Sequence, residues 1–173
     1  GAIYYYYPGT DASLANGTAL ANAKTTSLHT GRVDNTELYI GASWKFVSLK
    51  YFHSVGDYFS VPHTSGSGYI DLSANYDLGG GWGINGHVGH LNFENYSNGR
   101  SNGDYTDWKL GVTKDISGWV FGAAYVGTNA KGSCTPNAAG LTQPYCFGND
   151  APGATGTKNA GRDTLIVSVS RTF

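Results

Sequence analysis

A chain of 173 residues with 13% charged side chains, no Met and a net charge of −1 suits an ordinary water-soluble core poorly, since such domains carry about a quarter charged residues. The charge balance gives no sign of a nucleic-acid or acidic-substrate partner, and no apolar run is as long as a transmembrane helix requires. Gly (26 residues) and Tyr (13) fit an all-β chain with many turns.

Period-2 alternation, the mark of a strand with one apolar and one polar face, recurs along the whole chain. It begins weakly in "GAIYYYYP". In "TELYIGASW", Leu38, Ile40, Ala42 and Trp44 alternate with Glu37, Gly41 and Ser43. "FVSLKYFHSVGDYF" sets Val47, Leu49, Tyr51 and Val55 against Ser48, Lys50 and Ser54. "GYIDLSANYDL" is the clearest: Ile70, Leu72, Ala74, Tyr76 and Leu78 oppose Asp71, Ser73, Asn75 and Asp77. "WGINGHVGH" puts Trp82, Ile84 and Val88 on one face, Asn85 and His87 on the other. "YTDWKLGVTKDI" opposes Trp108, Leu110 and Val112 to Asp107, Lys109, Thr113 and Asp115. "GWVFGAAYVGTN" sets Trp119, Phe121, Ala123 and Tyr125 against Gly122 and Ala124. The closing "RDTLIVSVSRTF" places Leu165, Val167, Val169 and Phe173 opposite Thr164, Ser168, Ser170 and Thr172.

The links between these eight strands alternate in length. Tight hairpins fall at Trp44–Phe46, Gly79–Gly81 and Ile116–Gly118; the other links are polar and long, above all residues 9–34 and 129–161. Loops of that length are anomalous in a compact soluble domain. They are expected in a bacterial outer-membrane barrel, whose periplasmic turns are short and extracellular loops long.

Aromatic positions agree. Trp44, Trp82 and Trp119 each flank a short turn, with Phe173 at the same level; Tyr5, Tyr7, Tyr58, Tyr69, Tyr105, Trp108 and Tyr125 occupy the opposite strand ends. Two such girdles mark the two lipid–water boundaries. The sequence therefore predicts an antiparallel up-and-down transmembrane β-barrel in a bacterial outer membrane. Its apolar face meets lipid, and Glu37, Lys50, Asp71, Asn75, Asp77, Asn85, His87, Asp107, Lys109 and Asp115 line the lumen. Lysine–carboxylate pairs among these residues would plug a narrow lumen or bias a wider one. A terminal strand ending in Phe173 is the signal that barrel-assembly machinery reads.

"YYYYPG", "YIDLSANYDLGGGWGINGHVGH", "YTDWKLGVTKDI" and "VSVSRTF" resemble the TorF-type porin family of proteobacterial outer-membrane proteins. The resemblance implies an outer-membrane barrel with a channel function and no catalytic motif. It also implies about four strands before "YYYYPG", and a spanning strand needs about 9–11 residues. Since seven residues precede Pro8, Gly1 is read as an internal start and the eight strands as part of a barrel of about twelve. Eight strands would leave an interior just filled by side chains; twelve leave room for a passage.

Other chemistry is sparse. Cys134 and Cys146, in a loop-like stretch without CxxC or a nearby His, are expected to form a disulfide. His87 and His90 are three apart and face opposite sides of a strand, so they cannot share one metal; His29 and His63 lie in loops and His53 stands alone. No nucleophile elbow appears, and "LGGGWG" is a hairpin turn with no helix behind it to form a phosphate cradle. "NGT" at Asn16 and "NYS" at Asn95 mark polar loops. The expectation is a passive conduit for small polar solutes without cofactor, metal or catalytic residue; the first alternative is a plugged structural or adhesive barrel that acts through its extracellular loops, and an outer-membrane enzyme comes third.

Overall fold

The computed structural model describes residues 1–7, 34–148 and 156–171. Eight strands form one antiparallel sheet, each paired with its neighbours in the chain-order meander that the turn spacing predicts. They are β1 (Ala2–Tyr6), β2 (Asp34–Trp44), β3 (Val47–Ser54), β4 (Gly68–Gly79), β5 (Trp82–Asn92), β6 (Tyr105–Ile116), β7 (Trp119–Thr128) and, after an interruption, β10 (Thr164–Arg171). The interruption holds a small hairpin of β8 (Cys146–Gly148) and β9 (Thr157–Asn159). A 3-10 turn occupies Tyr58–Ser60, and among the described residues no helix is long and apolar enough to cross a membrane.

The tight hairpins form where the backbone tolerates a left-handed turn. Ser117 and Gly118 both have positive φ (53° and 84°), as do Gly79, Gly80 and Gly81, the condition that lets a two-residue turn follow the twist of the strands it joins. Lys45 opens the β2–β3 turn at φ 52°. Asp115 and Asp77 fasten the β6–β7 and β4–β5 turns by accepting from the backbone N–H of Gly118 (2.9 Å) and Gly79 (2.7 Å).

The expected closed barrel is not what these strands make: the sheet is open. Among the described residues β1 pairs with β2 and β10 with β7, leaving their outer edges without a ladder. The five residues of β1 are fewer than a membrane-crossing strand needs, so the first edge is also short.

Burial runs opposite to that of a soluble sheet. Among the described residues Leu91 and Cys146 are the buried apolar ones, whereas Glu37, Asn35 and Ser54 on the sheet and Thr64, Ser67 and Asn98 in loops are buried polar ones. The alternating apolar residues form a continuous exposed face, with Ile40 75%, Leu110 62% and Val167 76% exposed. A chain that depended on burying this face against itself would lack the main stabilising term of folding. The polar face is half-buried at its centre, around Asp71, Ser73, His87 and Asp107, and buried at Asn35, Glu37 and Ser54, while Lys50, Asn75, Asp77, Lys109 and Asp115 are exposed.

Candidate functional site

Direct cross-strand partners share a face, so the register assigns every predicted lumen residue. Lys50 pairs with Asp71, Asp71 with Gly89 and Gly89 with Asp107; Ser73 pairs with His87 and His87 with Lys109; Asn75 pairs with Asn85. Glu37 opposite Ser54, Asp77 opposite Gly83 and Asp115 opposite Val120 complete the set. All ten lie on the polar face of the sheet. Trp44, Trp82, Trp108, Trp119 and Tyr125 lie on the other, exposed; Phe173 is outside the described residues. Several Tyr expected at a lipid boundary do not join them: Tyr58 packs in the loops against Phe59 and Phe93, Tyr7 meets Phe59, and three lie on the polar face. Tyr5 pairs with Asn35, Tyr69 with Leu91 and Tyr105 with Leu91 on the next strand, which turns their rings onto the polar face, where each hydroxyl has polar company.

The centre of that face is a hydrogen-bonded chain across β4, β5 and β6. His87 Nδ1 lies 2.6 Å from Asp71 Oδ2 and its Nε2 lies 2.7 Å from Asp107 Oδ1. The Tyr69 hydroxyl donates to Asp107 at 2.9 Å and the Ser73 hydroxyl to Asp71 at 2.5 Å. The expected lysine–carboxylate pairs are thus replaced at Asp71 and Asp107 by an imidazole, whose flat ring spans between the two carboxylates. With both ring nitrogens facing carboxylates, no hydroxyl is presented to the imidazole as a nucleophile would be. Among the described residues no three His, Cys, Asp or Glu gather as metal ligands.

A second network closes the end nearer the long loops. Glu37 accepts from Asn35 Nδ2 (2.8 Å) and from Tyr5, and Asn35 in turn accepts from the Ser54 hydroxyl (2.6 Å). Between and beside the networks lie cavities. One of about 420 Å³ is lined by Tyr5, Glu37, Lys50, Phe52, Tyr69 and Asp71. Another of about 420 Å³ is lined by Tyr69, His87, Asp107, Lys109, Tyr145 and Arg162. A third of about 520 Å³, towards the short turns, is lined by Asn75, Asp77, Asn85, Thr113 and Asp115. Each has room for a small solute with its water, at about 30 Å³ per water molecule.

Loops cover the end of the sheet opposite the short turns. Phe93 and Tyr96 stack at 4.5 Å and Tyr58 meets Phe93 edge-on at 5.3 Å. Tyr145 meets Tyr105 edge-on and donates to the carbonyl of Gly103. Burial pushes the Tyr58 and Tyr145 phenols above their ordinary range. Arg100 donates to the carbonyls of Thr135 (2.6 Å) and Leu141 (2.9 Å), and Asn98 to that of Thr142 (2.9 Å). The Cys134–Cys146 bond expected from the sequence is present, with S–S 2.08 Å and Cα–Cα 5.1 Å. Much of the 129–161 link is therefore built structure, which no periodicity announced. Residues 9–33 of the first long link, Asn16 and His29 among them, lie outside the described residues.

These features define a protein built on an open, eight-stranded antiparallel β-sheet with an exposed apolar face and a polar face that carries its side-chain hydrogen-bond networks. The whole chain, residues 1–173, matches the model of a family described as "Bacterial protein of unknown function (Gcw_chp)", and it belongs to that family. This match corrects the resemblance drawn from "YYYYPG" and "YTDWKLGVTKDI": the family is not the TorF-type porins. No curated protein and no solved structure matches the chain.

Proposed function

We propose that this protein is an outer-membrane β-barrel through which small polar solutes diffuse passively. The observation that carries the reading is the inverted burial: an exposed apolar face that runs across every strand, and behind it a polar face that holds the sheet's buried and half-buried polar side chains, Asn35, Glu37, Ser54, Asp71, His87 and Asp107. In hydrocarbon the first is solvated and the second is kept from lipid. Trp44, Trp82 and Trp119 beside the short turns, with Trp108 and Tyr125 at the other level, supply the interfacial rings.

In a bilayer every backbone N–H and C=O needs a partner, so the edges of β1 and β10 must be closed. Further strands, about twelve in all, would do so and widen the lumen beyond what eight strands leave. Lys50 and Lys109 set against Asp71, Asp77, Asp107 and Asp115 would then line a passage of mixed charge, with selectivity set by their balance. Phe173 would serve the assembly machinery, and deleting it should lower the yield of folded barrel in membranes.

A second reading, a plugged barrel that acts through its loops, is favoured by one feature: the loops cover the sheet end and are clasped to one another. Single-channel recording in planar bilayers separates the two. Discrete conductance steps from protein with heat-modifiable mobility support the conduit; silence from equally folded protein overturns it in favour of the plug.

A further inference from the structure

The two ends of the apolar face carry opposite charge. At the short-turn end each of three Trp carries a cation. Lys45 Nζ lies 4.6 Å from the Trp44 ring centroid, Lys114 Nζ 4.9 Å from that of Trp82, and the Arg171 guanidinium carbon 5.0 Å from that of Trp119. Lys114 also donates to the carbonyl of Gly80 at 2.6 Å, which fixes its ammonium at the level of the turn. Among the described residues the carboxylates at this end, Asp77 and Asp115, are on the polar face and bonded to turn N–H groups. The long-loop end is the reverse. There Tyr4 donates to Asp34 at 2.9 Å and Tyr125 donates to Asp163, so the phenols of the apolar face stand beside carboxylates.

We infer that the rim of Trp44, Trp82 and Trp119 is a binding surface for the phosphate groups of anionic phospholipids in the leaflet at the short-turn end. The inference rests on the membrane reading above. Its argument is charge complementarity. A Trp ring at the edge of an apolar band lies at headgroup depth, and a cation held over that ring stands where a lipid phosphate lies. The indole positions the ammonium of Lys45 or Lys114 without neutralising it, since the attraction is to the ring quadrupole. Three such pairs recur on strand ends spread across the sheet, from the β2–β3 turn to β10, so the rim meets several headgroups rather than one. Each Lys or Arg near a membrane surface attracts anionic lipid by about 1 kcal/mol, about fivefold in occupancy per cation.

The test uses the indoles themselves. The full chain, in a Trp108→Phe background so that emission comes from the short-turn rim, is refolded into vesicles of phosphatidylcholine containing brominated phosphatidylcholine or brominated phosphatidylglycerol. Brominated phosphatidylglycerol should quench several-fold more effectively at equal mole fraction. Lys45→Gln with Lys114→Gln and Arg171→Gln should reduce that preference to none while brominated phosphatidylcholine still quenches. Equal quenching of the parent by both lipids, or a triple variant that keeps the preference, overturns the inference and leaves the barrel reading intact. No quenching by either lipid overturns both. The comparison of lipids on the parent protein stands alone, even if the triple variant folds poorly.

Discussion

The ring of Tyr69 lies across the bare α-carbon of Gly89, so near that a side chain at 89 would collide with the phenol hydroxyl. The missing Cβ is what lets this Tyr, one strand away, reach Asp107 at 2.9 Å. A Gly within a strand weakens it unless a neighbour uses the space, and here the neighbour is an aromatic ring with a charged acceptor beyond it.

Gly89→Ala should therefore cost about 1–3 kcal/mol, from overpacking and from loss of the charged hydrogen bond. Urea unfolding of the protein in lipid or detergent measures it. In a Tyr69→Ala background the same change should cost markedly less, because the two residues share one space. Equal costs in both backgrounds would mean that Tyr69 does not occupy the site over Gly89.

His87→Gln removes the ring that bridges Asp71 and Asp107, leaving two carboxylates facing one another. A loss of about 1–3 kcal/mol is expected, and it should be less than additive with Asp107→Asn because both act on one chain of hydrogen bonds.

Reduction of the Cys134–Cys146 bond should loosen the loop layer and spare the sheet. A loop of this length is worth about 3 kcal/mol in chain entropy. Hydrogen exchange should quicken at Tyr145 and neighbouring loop amides while β4, β5 and β6 stay protected. Exchange that quickens equally in the strands would contradict a loop-confined role.

The buried phenols of Tyr58 and Tyr145 give the loop layer an alkaline limit. Both are raised in the folded state, chiefly by desolvation, so their contribution is complete below the ordinary phenol value of about 10. As pH rises above that value the unfolded chain releases protons that the folded one retains, and stability falls. Tyrosinate absorbance should show these two among the late phenols, ionising together with loss of loop structure. Tyr58→Phe and Tyr145→Phe should each remove one of them.

The strands were readable in the sequence because both of their faces are written in the same two-residue period, as in Ile70, Leu72 and Ala74 against Asp71, Ser73 and Asn75. The hairpins at Gly79–Gly81 and Ile116–Gly118 were readable from their Gly. Tyr5, Tyr69 and Tyr105 were misplaced because a phenol satisfies either environment, ring to lipid or hydroxyl to carboxylate; only register decides. The bridging role of His87 was hidden for a related reason. Charge alone paired Lys50 and Lys109 with the carboxylates, whereas reach and planarity favoured the imidazole between two strands. The β8–β9 hairpin escaped notice because three-residue strands carry no measurable period. The resemblance to TorF-type porins rested on repeated strand motifs, and strands built to one binary pattern look alike across families.

The clasp of Arg100 and Asn98 onto the carbonyls of Thr135, Leu141 and Thr142 has an immunological consequence. It joins two stretches some forty residues apart into one patch. An antibody raised against that patch on the folded protein would recognise a discontinuous epitope. Synthetic peptides from either stretch alone would not compete for it, and oxidised, folded protein would be the only effective immunogen.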